Sequence, residues 1–514
     1  MNVAPLGLAA APLPGTLPAQ RVPVGAGQLL TACHLARERG GRLAALWASD
    51  ERDLARGFLL RVALQDADGL TVLELTLPDA EARYPDVAAI FPAANRMQRA
   101  AFDLVGVAAD ADDQRPWLWL ASWPIDRFPL QRDFEASPKW APGQEEYTFV
   151  RVAGDGVHEI PVGPVHAGII EPGHFRFQIV GEKVLRLEER LGYVHKGIEK
   201  RFEALGVADG ARLAGRVSGD STVAYAWAYA QAAEAVAGVT PPPRAAWLRA
   251  LALERERIAN HLGDLGYLGN DGGFAFGLAQ FSRLKEELLR ANHAALGHRM
   301  LMDWIVPGGI ARDLDPEHGR AMAAEARRLA REVQVLRGIY DEHAGLQDRF
   351  RNCGRVPTDR ARQLGLCGMP ARASGIAHDL RCDLPEAPYD LLQVRRAGQT
   401  GGDVAARVAV RFDELLESLR LVTVILEAMP DGPVATPWSP PSRAGYALGA
   451  VEGWRGPVLV ALDCAAGGGI RRCHPQDPSW SNWPVLEHAV IGDIVPDFPL
   501  INKSFNLSYS GHDL

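Results

Sequence analysis

Side chains capable of acid–base chemistry are concentrated between residues 163 and 199. His166 and Glu171 lie five residues apart in a loop that a Pro-Gly pair closes, and His195 follows in a second polar cluster. The pKa values of carboxyl and imidazole groups respond strongly to burial and to nearby charge, which suits these groups to proton transfer. A solvated hairpin would use the same residues, so the local pattern leaves both interpretations open.

The elements that carry these residues are a β-hairpin and a set of long helices. Alternation over 175–180, a Gly-Glu turn and a return segment over 184–191 predict two antiparallel strands. Apolar residues at helical spacing then predict five long helices with short connections, which is typical of an antiparallel bundle. The predicted helices span residues 222–237, 243–268, 277–306, 316–344 and 403–429.

The residues before the hairpin predict a separate, smaller domain, because they contain one helical and three strand-like segments. These segments span residues 27–39, 42–48, 58–64 and 70–77. The predicted fold class is therefore α+β, with a small N-terminal α/β domain and then a larger domain in which a β-hairpin packs on a long antiparallel helix bundle. The predicted divisions are a flexible tail at 1–20, the small domain at 21–136, a linker at 137–145 and the large domain at 146–514.

Composition excludes several classes of function. The 514 residues are 47% hydrophobic and 23% charged, as in ordinary globular proteins with an ample core. A net charge of −8 gives no basic footprint, so nucleic acid is not an expected partner. No apolar run is long enough to span a membrane. The six cysteines form no C-x-x-C pair, which argues against a disulfide framework and against a self-contained zinc or iron–sulfur site.

Longer motifs connect the chain to a known superfamily. The large domain contains GPVHAGIIEPGHFR, then YVHKGIEK, PGGIARDL, RASG and EGWRG. Together these resemble the large subunit of NiFe hydrogenases of the membrane-bound, energy-converting type and the related quinone-site (49 kDa) subunit of complex I. The earlier stretch YPDVAAIFPAANRMQRAAFDLVGV resembles the complex I 30 kDa domain, which serves docking. Within it, Arg99 and Asp103 are expected to form an i,i+4 surface pair.

In this superfamily a NiFe centre requires four cysteine thiolates, because soft thiolates hold and bridge nickel and iron. Here Ser218 and Ser221 stand at the first two ligand places, and Ser508 and Gly511 stand at the second two. A serine hydroxyl is not a thiolate at neutral pH and does not replace one as a soft ligand. The sequence therefore predicts no NiFe centre and no hydrogenase activity.

The resemblance also implies which polar residues surround the place of that centre. The expected site residues are His166, Glu171, His195, Arg372 and Asp379. Glu171 aligns with the glutamate that moves protons in hydrogenases, and its loop is expected to aim it inward as a buried carboxyl group with a raised pKa. For Arg372 and Asp379 the alternative is an ion-pair network without a catalytic role.

A further charged set occurs on the second long helix. Glu254, Arg257 and His261 fall on one stripe of that helix. The resemblance implies that this stripe lines the buried centre of the domain. A salt-bridged surface stripe would have the same spacing, so both interpretations remain open.

Two hypotheses of different class follow. In the first, the chain is a subunit of an oxidoreductase complex, and its cavity passes electrons from a neighbouring iron–sulfur cluster to a quinone or another small acceptor, coupled to proton or ion translocation. In the second, it is a non-catalytic scaffold that joins the electron-input arm to the membrane arm. Neither hypothesis needs a cofactor on this chain. Gly219 stands where the complex I subunit has a tyrosine, so matching residues do not support quinone binding.

The resemblance implies partners and a location. The expected partners are an iron–sulfur small subunit of the complex I 20 kDa type, a ferredoxin-like subunit and antiporter-like membrane subunits. The expected location is the cytoplasmic face of the inner membrane, where the chain is held peripherally by these partners without a transmembrane span of its own.

Overall fold

The α+β class predicted from the sequence is confirmed by the structure, a computed structural model. The structure describes residues 1–120, 123, 127–135, 147–166 and 170–514. The predicted linker at 137–145 lies outside the described residues. Within these described ranges, no helix is both long enough and apolar enough to cross a bilayer.

The N-terminal domain is built on a five-stranded sheet with strand order β1-β2-β5-β4-β3. Its strands are β1 (Ala11–Pro12), β2 (Ala19–Pro23), β3 (Arg42–Asp50), β4 (Phe58–Asp66) and β5 (Gly69–Leu77). Strands β2 and β5 pair in parallel, and the other neighbours are antiparallel. The domain also contains α1 (Ala26–Glu38), β6 (Arg83–Tyr84), α2 (Ala94–Val105) and β7 (Ala108–Ala109).

The first twenty residues, predicted as a flexible tail, are packed into this domain. Met1, Val3, Leu13 and Leu17 are buried, and β1 extends the sheet at its edge. The prolines that suggested a tail do not prevent this, because an edge strand tolerates a missing amide donor. The apolar side chains of the segment gain burial against the sheet, and the prediction of a flexible tail is therefore corrected.

The large domain begins with the predicted hairpin. Strands β9 (His174–Val180) and β10 (Lys183–Arg190) pair antiparallel, and β8 (Val157–Val162) adds a third strand that was not predicted. Phe175 and Phe177 alternate toward the core, and each packs edge-on against Phe498 with ring centroids 4.9 Å apart. The period-2 pattern read from the sequence thus gives the buried face of the sheet.

All five predicted long helices are present, but the third ends at Leu296 and not at 306, because Gly297 takes a left-handed conformation that stops it. They are α5 (Thr222–Ala237), α6 (Pro243–Asp271), α7 (Ala275–Leu296), α8 (Pro316–Glu342) and α14 (Val404–Ala428). Helix α6 packs against α7 and α14, and α14 also packs against α8. Helix α6 therefore lies inside the bundle, and the charged stripe of Glu254, Arg257 and His261 is buried and not on the surface.

A second sheet closes the other side of α5. Strands β13 (Gly445–Glu452), β14 (Pro457–Cys464) and β15 (Ile470–Gln476) form an antiparallel meander. A Cβ atom at Gly449 would lie 1.9 Å from the carbonyl oxygen of Ala228, so only glycine permits this contact between sheet and helix.

Short elements connect these layers. They are α3 (Ile198–Phe202), α4 (Val207–Ala214), β11 (Ile305–Val306), β12 (Gly309–Ile310), α9 (Ala344–Phe350), α10 (Thr358–Leu364), α11 (Gly368–Ala373), α12 (Leu380–Asp383), α13 (Tyr389–Leu392), α15 (Ser479–Ala489), α16 (Phe498–Phe505) and α17 (Tyr509–Asp513). Helix α11 carries Arg372, and helix α12 begins directly after Asp379. Helix α17 begins at the second pair of ligand places.

The small domain is fixed to the meander of the large domain. Arg61 of β4 lies 3.4 Å from Asp463 and stacks over the ring of Tyr446. Trp47 of β3 stacks on His474 with ring centroids 5.0 Å apart. Because these contacts are buried and combine charge with ring stacking, they hold the small domain in one orientation.

The predicted surface pair of Arg99 and Asp103 is wrong. Both side chains are buried, and they do not pair with each other. Arg99 donates to the carbonyl oxygen of Arg115 at 2.7 Å, while Asp103 accepts hydrogen bonds from the amides of Trp117 and Leu118 at 2.7 and 2.6 Å. Their helix is covered by residues 115–119, a contact that a helical spacing rule does not reveal.

Replacing Asp103 by Ala should leave the amides of Trp117 and Leu118 buried without an acceptor. Because each unpaired buried donor costs about 1–3 kcal/mol, we expect the free energy of unfolding to fall by about 2–4 kcal/mol. Urea unfolding followed by tryptophan fluorescence measures this change. The matched control is Asp112→Ala at an exposed position, which should change the value by less than about 0.5 kcal/mol. Equal stability of the Asp103 variant and the parent would contradict this role.

Candidate functional site

The four places where the resemblance expects metal ligands lie together in the structure. Ser218 and Ser221 precede α5, and Ser508 caps the N-terminus of α17. The hydroxyl oxygens of Ser218 and Ser508 are 2.9 Å apart, and the amide of Gly511 donates to Ser508 Oγ at 2.8 Å. Chain segments separated by almost 300 positions therefore meet at one point.

An ion pair occupies the first half of this site. Arg455 donates two hydrogen bonds to the carboxylate of Asp220, at 2.8 and 2.6 Å. Ser218 also donates to Asp220 at 2.9 Å, and Arg455 contacts Ser221 Oγ at 3.3 Å. Burial by itself would raise the pKa of Asp220, but the Arg455 guanidinium lowers it to about 2. Asp220 is thus an anion whose two carboxylate oxygens both accept hydrogen bonds from Arg455, while 37% of its side chain is exposed.

A second carboxylate occupies the other half. A Cβ atom at Gly511 would lie only 2.4 Å from Asp477 Oδ2. The same oxygen accepts a hydrogen bond from the Tyr225 hydroxyl at 2.6 Å, and Ser479 donates its amide to the other oxygen at 2.8 Å. Asp477 is therefore fixed in the space that a side chain at position 511 would need.

These residues do not fit a NiFe centre. The groups at the ligand places are hydroxyls and a backbone amide, and the carboxylates beside them are bound by Arg455 and Tyr225. Nickel and iron held by bridging ligands require soft thiolates, which are missing at all four places. No step of a mechanism through such a centre follows from this geometry.

The loop residues lie beside the site but differ from expectation. Glu171 is exposed, and it accepts hydrogen bonds from the amide of Ser510, at 3.2 Å, and from the Ser510 hydroxyl. The expectation that the loop buries this carboxyl group is wrong, because it is bound to Ser510, which is itself only half-buried. His166 is half-buried next to Phe175, and burial lowers the pKa of its imidazole.

His195 lies on the other side of the C-terminal segment. Its Nδ1 atom is 2.7 Å from the carbonyl oxygen of Asp513, and its ring lies 5.4 Å from that of Trp123. His195 and Glu171 thus both contact the segment 509–513, from two separate loops. The structure brings the sequence-predicted loop residues next to the ligand places without a direct contact to Asp220.

Arg372 and Asp379 lie deeper in the domain. Arg372 is buried and donates to Glu414 at 2.6 Å and to Glu452 at 2.7 Å. Asp379 is buried and pairs with Arg381 at 2.7 Å. The ion-pair interpretation therefore describes their contacts, and these two residues do not line the ligand places.

Sequence reasoning missed three acids of the site: Asp264, Asp477 and Glu256. Asp264 pairs with Arg411 at 3.1 Å, and its position three residues after His261 on the same stripe could have revealed it. Glu256 accepts hydrogen bonds from the first amides of α5, and burial raises its pKa to about 8. Asp477 follows a strand end, and no local pattern marks it.

A small α/β domain joined to a bundle with this four-place site defines a large subunit of the complex I and membrane-bound hydrogenase class. Residues 22–139 match the family described as respiratory-chain NADH dehydrogenase, 30 Kd subunit, and residues 271–443 match the 49 Kd subunit of the same enzyme.

Curated relatives place the chain more narrowly. It is 31% identical over 485 residues to formate hydrogenlyase subunit 5 of Escherichia coli (strain K12), which covers 93% of this chain and 85% of the relative. It is also 31% identical over 488 residues to hydrogenase-4 component G of the same organism, with the same coverage. The chain therefore belongs to this family of hydrogenase-related large subunits that carry both complex I regions.

A solved structure shares the fold over most of the chain. A chain of the membrane-bound sulfane sulfur reductase (MBS), an archaeal respiratory membrane complex, superposes with a TM-score of 0.66 and 24% sequence identity. The match covers 71% of this chain and 100% of that chain. At this identity the likeness concerns the fold alone.

The contact between position 511 and Asp477 predicts a specific stability effect. Gly511→Ala adds a Cβ atom where Asp477 Oδ2 lies, so we expect the free energy of unfolding to fall by about 1–3 kcal/mol. In an Asp477→Ala background the same substitution should cost less, because the obstructing carboxylate is gone. Urea unfolding of the parent, the two single variants and the double variant gives this coupling.

The matched control is Gly338→Ala in helix α8, where an added Cβ meets nothing within 4 Å. This change should be neutral or slightly stabilising, since alanine is the better helix former. If Gly511→Ala is as harmless as the control, or costs the same with and without the Asp477 carboxylate, the described filling of the site is wrong.

Proposed function

We propose that this chain is the large subunit of a membrane-associated, complex I-related oxidoreductase complex, and that it works without a NiFe centre. In this proposal it couples electron transfer in a neighbouring iron–sulfur subunit to proton or ion translocation. The observation that carries the proposal is the filled four-place site, in which Asp220, Arg455 and Asp477 take the space of the missing thiolates. The family membership of the chain supports the coarser statement.

The proposed cofactors lie outside this chain. An iron–sulfur cluster on a partner subunit supplies electrons, and quinone or another small molecule accepts them. The second candidate function is a scaffold that joins the electron-input arm to the membrane arm. The Asp220–Arg455 pair favours it, because a site that is satisfied by its own side chains needs no ligand to be stable.

The proposed partners are a complex I 20 kDa-like iron–sulfur subunit, a ferredoxin-like subunit and antiporter-like membrane subunits. The proposed location is peripheral, at the cytoplasmic face of the inner membrane. Two observations support a partner surface beside the site: Val165 is 84% exposed and Ile170 is 43% exposed, next to Glu171. Exposed apolar residues grouped in one loop are typical of protein contacts.

Elemental analysis of the purified complex tests the absence of the metal centre. We expect no stoichiometric nickel, iron and acid-labile sulfide only in amounts that the iron–sulfur partners explain, and no dye-linked hydrogen uptake. The reason is that none of the four ligand places offers a thiolate. About one nickel per chain would end this proposal, whichever partners are present.

The role of Glu171 separates coupling from scaffolding. Glu171→Gln keeps the size of an exposed side chain, so assembly should be unaffected. If the carboxylate carries protons between the site and solvent, complex turnover should fall by roughly ten-fold or more. Turnover of the complex with its electron donor, measured across pH, provides the readout.

The matched control is Glu182→Gln at the exposed hairpin turn, which should leave turnover at the parental rate. A Glu171 variant that assembles and turns over like this control would remove the proton-transfer role and favour the scaffold.

A further inference from the structure

A cleft runs inward between the small domain and the large domain. Its solvent-facing part, which we call the outer cleft, has a volume of about 360 Å³ open to the centres of water molecules. The small domain contributes the start of β3 and the end of β4, and the large domain contributes residues around α12. Among the charged and polar lining residues are Arg39, Arg42, Gln65, His378, Asp383 and Arg396.

Two smaller spaces lie further inside, and we call them the middle chamber and the inner chamber. The same volume is about 10 Å³ in the middle chamber and about 20 Å³ in the inner chamber. Because one water molecule needs about 10–15 Å³ of such space, each chamber has the size of roughly one water molecule. Arg42 and Gln65 line the outer cleft and both chambers, so the three spaces adjoin one another at these two side chains.

The junction formed by Arg42 and Gln65 has donors to spare. The two residues are paired across β3 and β4, and Arg42 donates a hydrogen bond to the side-chain oxygen of Gln65. In the part of the chain that the structure describes, no carboxylate pairs with Arg42. A guanidinium group has five N–H donors, so several of them remain to bind water at the junction.

The inner chamber ends at Asp477, the carboxylate that fills the space beside Gly511. The donors to its two oxygens, the Tyr225 hydroxyl and the Ser479 amide, are both neutral. Among the described residues, no cationic side chain lies within salt-bridge distance of Asp477, and the Ser481 hydroxyl in the same chamber has no hydrogen-bond partner. A buried carboxylate without a paired cation is costly, and a water molecule that donates to it reduces this cost.

The rest of the inner chamber is apolar. The apolar side chains in its wall come from both domains and include Leu17, Leu70, Leu380, Leu384 and Leu459. Such walls offer no hydrogen bonds, so water inside is oriented by the polar groups at the two ends. These groups are Arg42 and Gln65 at the junction and Asp477 at the inner end.

We propose that the outer cleft, the middle chamber and the inner chamber form one hydrated passage, and that protons taken up during coupling reach Asp477 through it. We call it the interdomain passage. This inference rests on the proposed coupling function. A proton moves along hydrogen-bonded waters by hopping, in which one O–H bond forms as the next one breaks. The net step transfers one proton from solvent to the Asp477 end, and no group is oxidised or reduced.

The proposal gives the small domain a role beyond contact with other subunits. Arg42 and Gln65 form the junction of the interdomain passage, and Leu17 and Leu70 form part of its inner wall. Leu17 belongs to the first twenty residues, whose packing closes this side of the inner chamber. The two domains together thus confine proton access to one route.

Hydroxyl-radical footprinting of the purified complex tests the hydration. X-rays generate the radicals from water itself, so a buried side chain is modified where water touches it, and mass spectrometry identifies the residue. Cys367 lines both chambers and is 5% exposed, whereas Cys464 is 0% exposed in the apolar core. We expect Cys367 to be modified at least roughly ten-fold faster than Cys464, because close-packed interiors exclude water from core thiols.

Gln65→Leu tests the junction. This change keeps the approximate size of the side chain but removes the acceptor of Arg42 and a polar contact for water. We expect the modification of Cys367 to slow to the rate of Cys464. Cys353, which is 7% exposed and lies away from the passage in the core of the large domain, should keep its rate and serves as the internal reference.

Two further variants complete the design. Gln334→Leu, at an exposed position of α8, is the matched control and should leave all cysteine rates unchanged. Arg42→Met removes the donor at the same junction from a partly exposed position. It should slow the modification of Cys367 as Gln65→Leu does, and it keeps the test open if Gln65→Leu fails to fold.

Turnover measures the proton role. In Gln65→Leu, complex turnover should fall by roughly ten-fold, as expected when proton transfer is impaired. The solvent deuterium isotope effect on turnover should rise, because proton delivery becomes the slow step. Gln334→Leu should match the parent in both quantities.

Each outcome decides one part of the inference. Equal modification of Cys367 and Cys464 in the parent complex, or modification of Cys367 that neither junction variant slows, would overturn the hydrated passage. A slowed Cys367 with parental turnover and isotope effect would overturn its role in proton uptake.

Footprinting needs no electron donor and no turnover, so it is independent of the proposed function. A dry passage in a nickel-free, active complex refutes this inference and leaves the proposed function intact. Nickel in the complex refutes the proposed function whatever the footprint shows.

Discussion

The ion pair between Asp220 and Arg455 is the contact on which the arrangement of the large domain depends. Asp220 precedes α5, and its carbonyl oxygen accepts hydrogen bonds from Asn260 of α6 and from the indole of Trp454. Arg455 reaches across to the carbonyl oxygen of Asn506, just before the last helix. Four separate segments are thus joined at one charged pair. Because a bidentate guanidinium–carboxylate contact has a strict geometry, it also fixes how these segments meet.

Charge balance is the constraint that governs everything around this pair. Where thiolates and metal ions would bring their own charges, this chain has hydroxyls and paired carboxylates instead. Asp220 is balanced by Arg455, Asp264 by Arg411 and Lys503, and Asp477 is held by hydrogen bonds from Tyr225 and Ser479.

Much of the fold was predictable because its signals are local. The five long helices and the hairpin of β9 and β10 follow from periodicity, and the structure shows all of them. The packed segment 1–20 was not predictable, since its gain in burial depends on a sheet formed by later residues. The same limitation applies to Arg99 and Asp103, whose helix is covered by residues 115–119, which only the tertiary fold brings there.

The positions of the four ligand places could be predicted from the sequence, but the residues that fill the space between them could not. Ser218 and Ser508 were found because motifs on both sides fix their positions, and they touch in the structure. Asp477 was missed because no sequence motif surrounds it. Its carboxylate fits beside position 511 only because that residue is a glycine without a side chain. Glu171 was placed in the right loop but with the wrong exposure, since the direction of a loop side chain depends on its partner, here Ser510.

The central claim is that the chain's own side chains occupy the place of the metal centre. A high-resolution density map of the intact complex, with anomalous scattering recorded at the nickel and iron edges, tests it most directly. The account predicts continuous density between Asp220 and Arg455, a carboxylate of Asp477 beside Gly511, and no anomalous peak between Ser218 and Ser508. An anomalous peak within coordination distance of these two serines would contradict it.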